Sequence, residues 1–189
     1  EIEMDLCGHA TLASAHVLFN HLDFLGNRIQ FESESGLLYV ERNGDLLTLN
    51  FPARPPELNP GLPIVLEGIG GKPEEVLLAR DYLLVYPSEK AILELKPNEA
   101  LLAQINLDPG GIIATAPGED CDFVSRFFTP GAVIFEDPVT GSAHCTLIPY
   151  WAKRLGKNRL HAIQVSERKG ELLGEYLGDR VSISGRATT

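Results

Sequence analysis

The chain has 189 residues, 44% of them hydrophobic and 22% charged, which supports a packed core and excludes a disordered or low-complexity protein. A formal net charge of -10 with no Lys/Arg cluster argues against nucleic acid and anionic membranes as partners. No apolar run approaches the roughly 20 residues of a membrane-spanning helix, and the start Glu-Ile-Glu-Met-Asp has neither the basic nor the apolar region of a signal peptide, so a cytoplasmic protein is expected.

Residues 10–22 are apolar almost all round, with Ala10, Ala13, Ser14 and Ala15 crowding the first turns, which predicts a buried helix. Residues 46–51 follow a Gly44-Asp45 turn and alternate as a strand does. Glycine and proline cluster over residues 67–73, which reads as a linker and places a boundary between Gly70 and Arg80, dividing the chain into lobes 1–75 and 76–189. Residues 82–86 read as a strand and residues 98–105 as a helix. A second apolar helix is expected over residues 142–155, and a second Gly-Asp turn, Gly178-Asp179, precedes a strand at 180–184.

These elements form an internal repeat. Ile29, Gln30 and Gly36 match Ile163, Gln164 and Gly170, each pair 134 positions apart, and the two Gly-Asp turns keep that spacing. Upstream, Gly8 and Ala10 match Gly141 and Ala143 at 133 positions, which sets Glu3 opposite Glu136. The repeat predicts an α+β protein of two pseudo-symmetric lobes, each a curved, mainly antiparallel sheet around a central apolar helix. The second copy has a lead-in, residues 81–135, for which the first has no room, so a preceding segment or a completing polypeptide is expected.

The turn before each helix presents main-chain N–H groups, from Gly8, His9 and Ala10 and from Gly141, Ser142 and Ala143, and both helix starts suit a carboxylate. Two acids lie just upstream, Glu3 before Gly8 and Asp137 before Gly141, and facing acids suit proton transfer. Plainer readings stand beside these: Glu3 as a solvated strand-end acid, Asp137 as a turn residue before Pro138, Ser142 as an ordinary first-turn residue with Thr140 as the N-cap.

The segments 3–16 and 135–144, Glu-Met-Asp-Leu-Cys-Gly-His-Ala-Thr-Leu-Ala-Ser-Ala-His and Phe-Glu-Asp-Pro-Val-Thr-Gly-Ser-Ala-His, resemble the two signatures of the PhzF-like family, named for an isomerase of phenazine biosynthesis. The resemblance runs on through Phe127-Phe-Thr-Pro130 and Gly185-Arg186. It implies a diaminopimelate epimerase-like fold with an active site in the cleft between lobes, and a dimer. It also implies that Glu3 moves a proton between carbons of a small carboxylate substrate, helped by Asp137 and Ser142. The family's isomerase uses a histidine after the first helix, and residues 31–36 here contain none.

No nucleotide, flavin or metal is called for: the Gly-rich stretch 68–71 lacks a phosphate loop's Gly-Lys-Ser/Thr ending, and His9 and His144 lack metal-ligand spacing. Cys7, Cys121 and Cys145 form no CxxC pair and are expected to be reduced thiols. Two rivals remain. A two-base epimerase would use one cysteine from each half, but Cys7 has Thr140 as its repeat partner and Cys145 lies five positions further on. A binding protein would keep the carboxylate-receiving turns without turnover.

Overall fold

The structure, a computed structural model, describes residues 7–22, 24–107 and 110–186. Helix α1 (Gly8–His21) opens the described chain, followed by a meander of β1 (Arg28–Ser33), β2 (Gly36–Asn43) and β3 (Leu46–Pro52). The predicted Gly44-Asp45 turn joins β2 to β3, and Gly44 takes the positive φ, +63°, that such a turn needs. Next come β4 (Glu57–Leu58), α2 (Pro63–Ile69), β5 (Glu75–Leu78) and β6 (Tyr82–Val85). Pro63 starts α2 where its missing N–H costs nothing. Two short helices follow, α3 (Glu89–Leu93) capped by Ser88 and α4 (Glu99–Leu102) capped by Asn98. Then come β7 (Ile112–Pro117), β8 (Phe123–Phe128), β9 (Glu136–Asp137), α5 (Gly141–Leu155), β10 (Arg159–Gln164), β11 (Gly170–Tyr176) and β12 (Arg180–Gly185).

Contacts divide the chain into two units that interleave along the sequence. Unit 1 comprises Glu1–Ala53, Thr140–Leu160 and Leu172–Thr189, and unit 2 comprises Arg54–Val139 and His161–Glu171. They do not follow the consecutive stretches 1–75 and 76–189 expected from the Gly/Pro cluster at 67–73. The reason is that the two repeated helices, far apart in sequence, pack on each other in unit 1.

In unit 1 the strands run β1–β2–β3–β12–β11, antiparallel throughout. Alternate residues of β3 and β12 point inward, burying Leu47, Leu49 and Phe51 and then Val181 and Ile183. Helix α1 packs on β2 and β3, and α5 on β12. Helix α5 buries ten of its fifteen residues, among them Leu147, Ile148 and Trp151. Helix α1 departs from expectation: only Gly8, Ala15 and Phe19 are buried, and Val17 is 42% exposed. One face of α1 has a sheet to pack on, while its outer face is apolar in sequence without being covered by the described residues.

In unit 2, β8 is the hub. Along one edge it pairs with β7 over the full length Phe123–Phe128. Its other edge is shared: β10 runs parallel beside Phe123–Ser125, and β9 runs antiparallel beside Phe127 and Phe128. Beyond β7 lie β6, parallel to it, then β5 and β4. All four residues of β6 and the first five of β7 are buried, as befits a parallel pair covered on both faces. The core joins Ile69, Leu84, Tyr86, Ile112 and Phe128, and the Tyr86 hydroxyl donates to the Gly70 carbonyl at 2.7 Å.

The linker expected at 67–73 is not one. Glu67–Ile69 ends α2, and the whole stretch lies inside unit 2. A Cβ on Gly68 would sit 2.4 Å from Leu102 Cδ2, so that glycine serves close packing of α2 against α4. The helix expected over 98–105 shortens to α4. Among the described residues no helix is long and apolar enough to cross a membrane.

Candidate active site

Helices α1 and α5 begin alike. Their N-cap residues, Cys7 and Thr140, have nearly the same extended backbone, φ/ψ of -127°/97° and -113°/98°. Neither side chain caps its helix, so Thr140 holds the expected N-cap position without the expected hydrogen bond. The carbonyls of both caps are instead held from one turn ahead. Thr11 Oγ1 donates to the Cys7 carbonyl at 2.8 Å, and His144 Nδ1 bonds the Thr140 carbonyl at 2.8 Å. Thr11 and His144 are equivalent in the repeat, and neither role was foreseen from sequence. A polar side chain four residues after each cap was the available signal.

His144 is fully enclosed, and burial lowers its pKa to about 4. It is therefore neutral at pH 7, its Nδ1–H donates to Thr140, and it stiffens the turn. No group of three or more His, Cys, Asp or Glu that could hold a metal occurs among the described residues.

The two helix starts converge. A Cβ on Gly8 would lie 3.0 Å from Cα of Gly141, and one on Gly141 would lie 3.2 Å from Cα of Gly8. A side chain at either position would crowd the main chain of the other. Helix geometry leaves the first-turn N–H groups, those of Gly8, His9, Ala10, Gly141, Ser142 and Ala143, without partners inside their own helices. Two positive helix ends side by side favour a negative group. Ser142 and Ala143 are buried, whereas His9 and Ala10 are exposed.

One of the two acids lies among the described residues. Glu3 lies outside the described residues. Asp137 is half-buried in β9 of unit 2, where its main chain pairs with Phe127. Its carbonyl accepts from Gln164 Nε2 at 2.7 Å, and the next carbonyl, of Pro138, accepts from Ser166 Oγ at 2.7 Å. Glu136, the repeat counterpart of Glu3, is committed to Arg126, which grips both carboxylate oxygens at 2.8 Å.

The thiols do not pair as an epimerase would need. Cys7 is half-exposed with His9 Nε2 3.6 Å from its sulfur, Cys145 is buried in the second turn of α5, and Thr140 stands where a second thiol would be required.

The α+β fold, with two repeated helices meeting at paired glycines, agrees with the diaminopimelate epimerase-like fold that the family resemblance implies. The chain belongs to the PhzC-PhzF family of phenazine biosynthesis-like proteins, whose family model matches residues 1–189. An uncharacterised isomerase of Pseudomonas aeruginosa is 51% identical over 188 residues, which cover 98% of this chain and 71% of that protein. The crystal structure of a PhzF-family protein from Enterococcus faecalis superposes with a TM-score of 0.90 at 45% identity, covering 98% of this chain and 71% of that one. A predicted epimerase of P. aeruginosa, 17% identical with a TM-score of 0.56 over 93% of this chain and 69% of that one, shares the fold alone.

Proposed function

We propose that the protein is an isomerase that moves a proton between carbons of a small carboxylate substrate, without a cofactor. The observation that carries this reading is the convergence of the α1 and α5 N-termini at Gly8 and Gly141, which offers two sets of main-chain donors to one carboxylate. The isomerase names of close relatives support the reaction class.

Glu3 is assigned the proton transfer and Asp137 and Ser142 the orientation of the substrate's polar groups, as the family resemblance implies. A carboxylate withdrawn from water has its pKa raised toward neutrality, which suits one residue to act as base and then as acid. Glu136, the repeat counterpart of Glu3, is instead engaged in a bidentate bond with Arg126.

Incubation with small unsaturated and amino carboxylates in deuterium oxide, followed by proton NMR, tests the reading. Exchange at a substrate carbon that disappears in Asp137→Ala, with the fold kept, is the expected result. Exchange undiminished in that variant refutes the assignment of Asp137.

A further inference from the structure

The second copy of the repeated block, residues 163–170, does something its first copy does not. Gln30 is exposed on β1, but its counterpart Gln164 is wholly buried. We infer that this block is a cradle that positions Asp137, with Gln164 and Ser166 as its positioning residues. This rests on the reading of Asp137 as a residue that touches substrate.

The geometry follows from the shared edge of β8. Strand β10 leaves that edge after Gln164 pairs with Ser125, and β9 takes it up where Asp137 pairs with Phe127. A two-residue strand has too few ladder bonds to hold itself. The break falls at Arg126, and side chains close it from both directions. Arg126 holds Glu136 and is itself anchored on the carbonyls of Ile92 and Leu95, at 3.2 and 3.0 Å. Gln164 reaches across to the Asp137 carbonyl, and Ser166, 5% exposed, takes the Pro138 carbonyl.

Gly170 completes the cradle, because a Cβ there would lie 2.3 Å from Val139 Cγ2. Three successive residues, Glu136 to Pro138, are thus each hydrogen-bonded by a different side chain of unit 2, and Val139 packs against Gly170. Fixing the main chain on both sides of Asp137 limits where its carboxylate can point, and misplacement of about 1 Å at a reacting group can cost roughly 100-fold in rate.

The test uses Gln164→Leu, Ser166→Ala and Ser166→Thr, the last keeping the hydroxyl. Two readouts are taken: substrate deuterium exchange, split into kcat and KM, and amide hydrogen exchange of residues 134–140 by mass spectrometry, which needs no substrate. The cradle predicts that kcat falls about 10- to 100-fold in the first two variants while KM changes little. It also predicts faster amide exchange confined to 134–140, and recovery of most of kcat in Ser166→Thr.

Amide exchange around Asp137 that matches the wild type, or faster exchange throughout unit 2 in Ser166→Ala, overturns the inference. If Gln164→Leu does not fold, the serine pair decides. Asp137→Ala separates the two claims: full exchange in that variant refutes the role of Asp137, whereas its loss alongside normal kcat in Gln164→Leu and Ser166→Ala refutes the cradle.

Discussion

Gly8 and Gly141 touch main chain to main chain, with Phe51 packed against both: its Cε2 would stand 3.5 Å from a Cβ on Gly8 and 3.8 Å from one on Gly141. Neither helix start can yield without moving the other. Gly141→Ala is therefore expected to destabilise the protein by about 1–3 kcal/mol through overpacking. It should also weaken binding of a substrate carboxylate by tenfold or more. Urea unfolding and ligand titration check the two effects, and unchanged values in both contradict the paired-terminus account.

His144 makes stability depend on pH. Its pKa in the folded protein, about 4, lies below the ordinary value of 6.5, so the unfolded chain binds the proton more readily. Its contribution is complete above pH 6.5 and is lost as pH falls toward 4, amounting to roughly 3 kcal/mol. Urea unfolding of wild type and His144→Asn across that window should show a steeper loss in the wild type. Parallel curves would contradict the assignment of a buried neutral imidazole.

The three thiols should differ in reactivity. Cys145 is buried, and burial together with the nearby Glu89 charge pushes Cys121 up to about 11. Cys7 is accessible at a helix start. Iodoacetamide at pH 8 is expected to label Cys7 first in the native protein, as read by peptide mass spectrometry. Cys7→Ser should retain turnover, and complete inactivation of that variant would favour a thiol mechanism.

Glu136→Gln removes the charge from a bidentate pair whose side chains are 15% and 25% exposed. Loss of about 1–3 kcal/mol in urea unfolding is expected, because the Arg126 guanidinium keeps its desolvation cost with a weaker partner. No change would mean that Arg126 is satisfied by the Ile92 and Leu95 carbonyls alone.

The matched helix starts were legible because glycine and small residues recur at fixed spacing, and the Gly-Asp turns because the backbone demands them there: Gly44 and Gly178 have φ of +63° and +91°. The exposure of α1 was not legible, since an apolar helix does not reveal how many faces find a partner. Glycine also misled at 67–73, where Gly68 marks close packing against Leu102 and was read as flexibility. The tie from Gln164 to Asp137 spans 27 positions and exists only because β9 and β10 share one edge of β8. Pairing of that kind is set by topology, which no local pattern encodes.

The proposed function assigns Glu3 proton transfer on a carboxylate held at the paired helix starts. It is tested most directly by comparing wild type with Glu3→Gln in deuterium oxide while measuring substrate affinity in the same samples. The account predicts that affinity is retained within a few-fold and that deuterium incorporation is abolished. Incorporation at the wild-type rate in Glu3→Gln would contradict it.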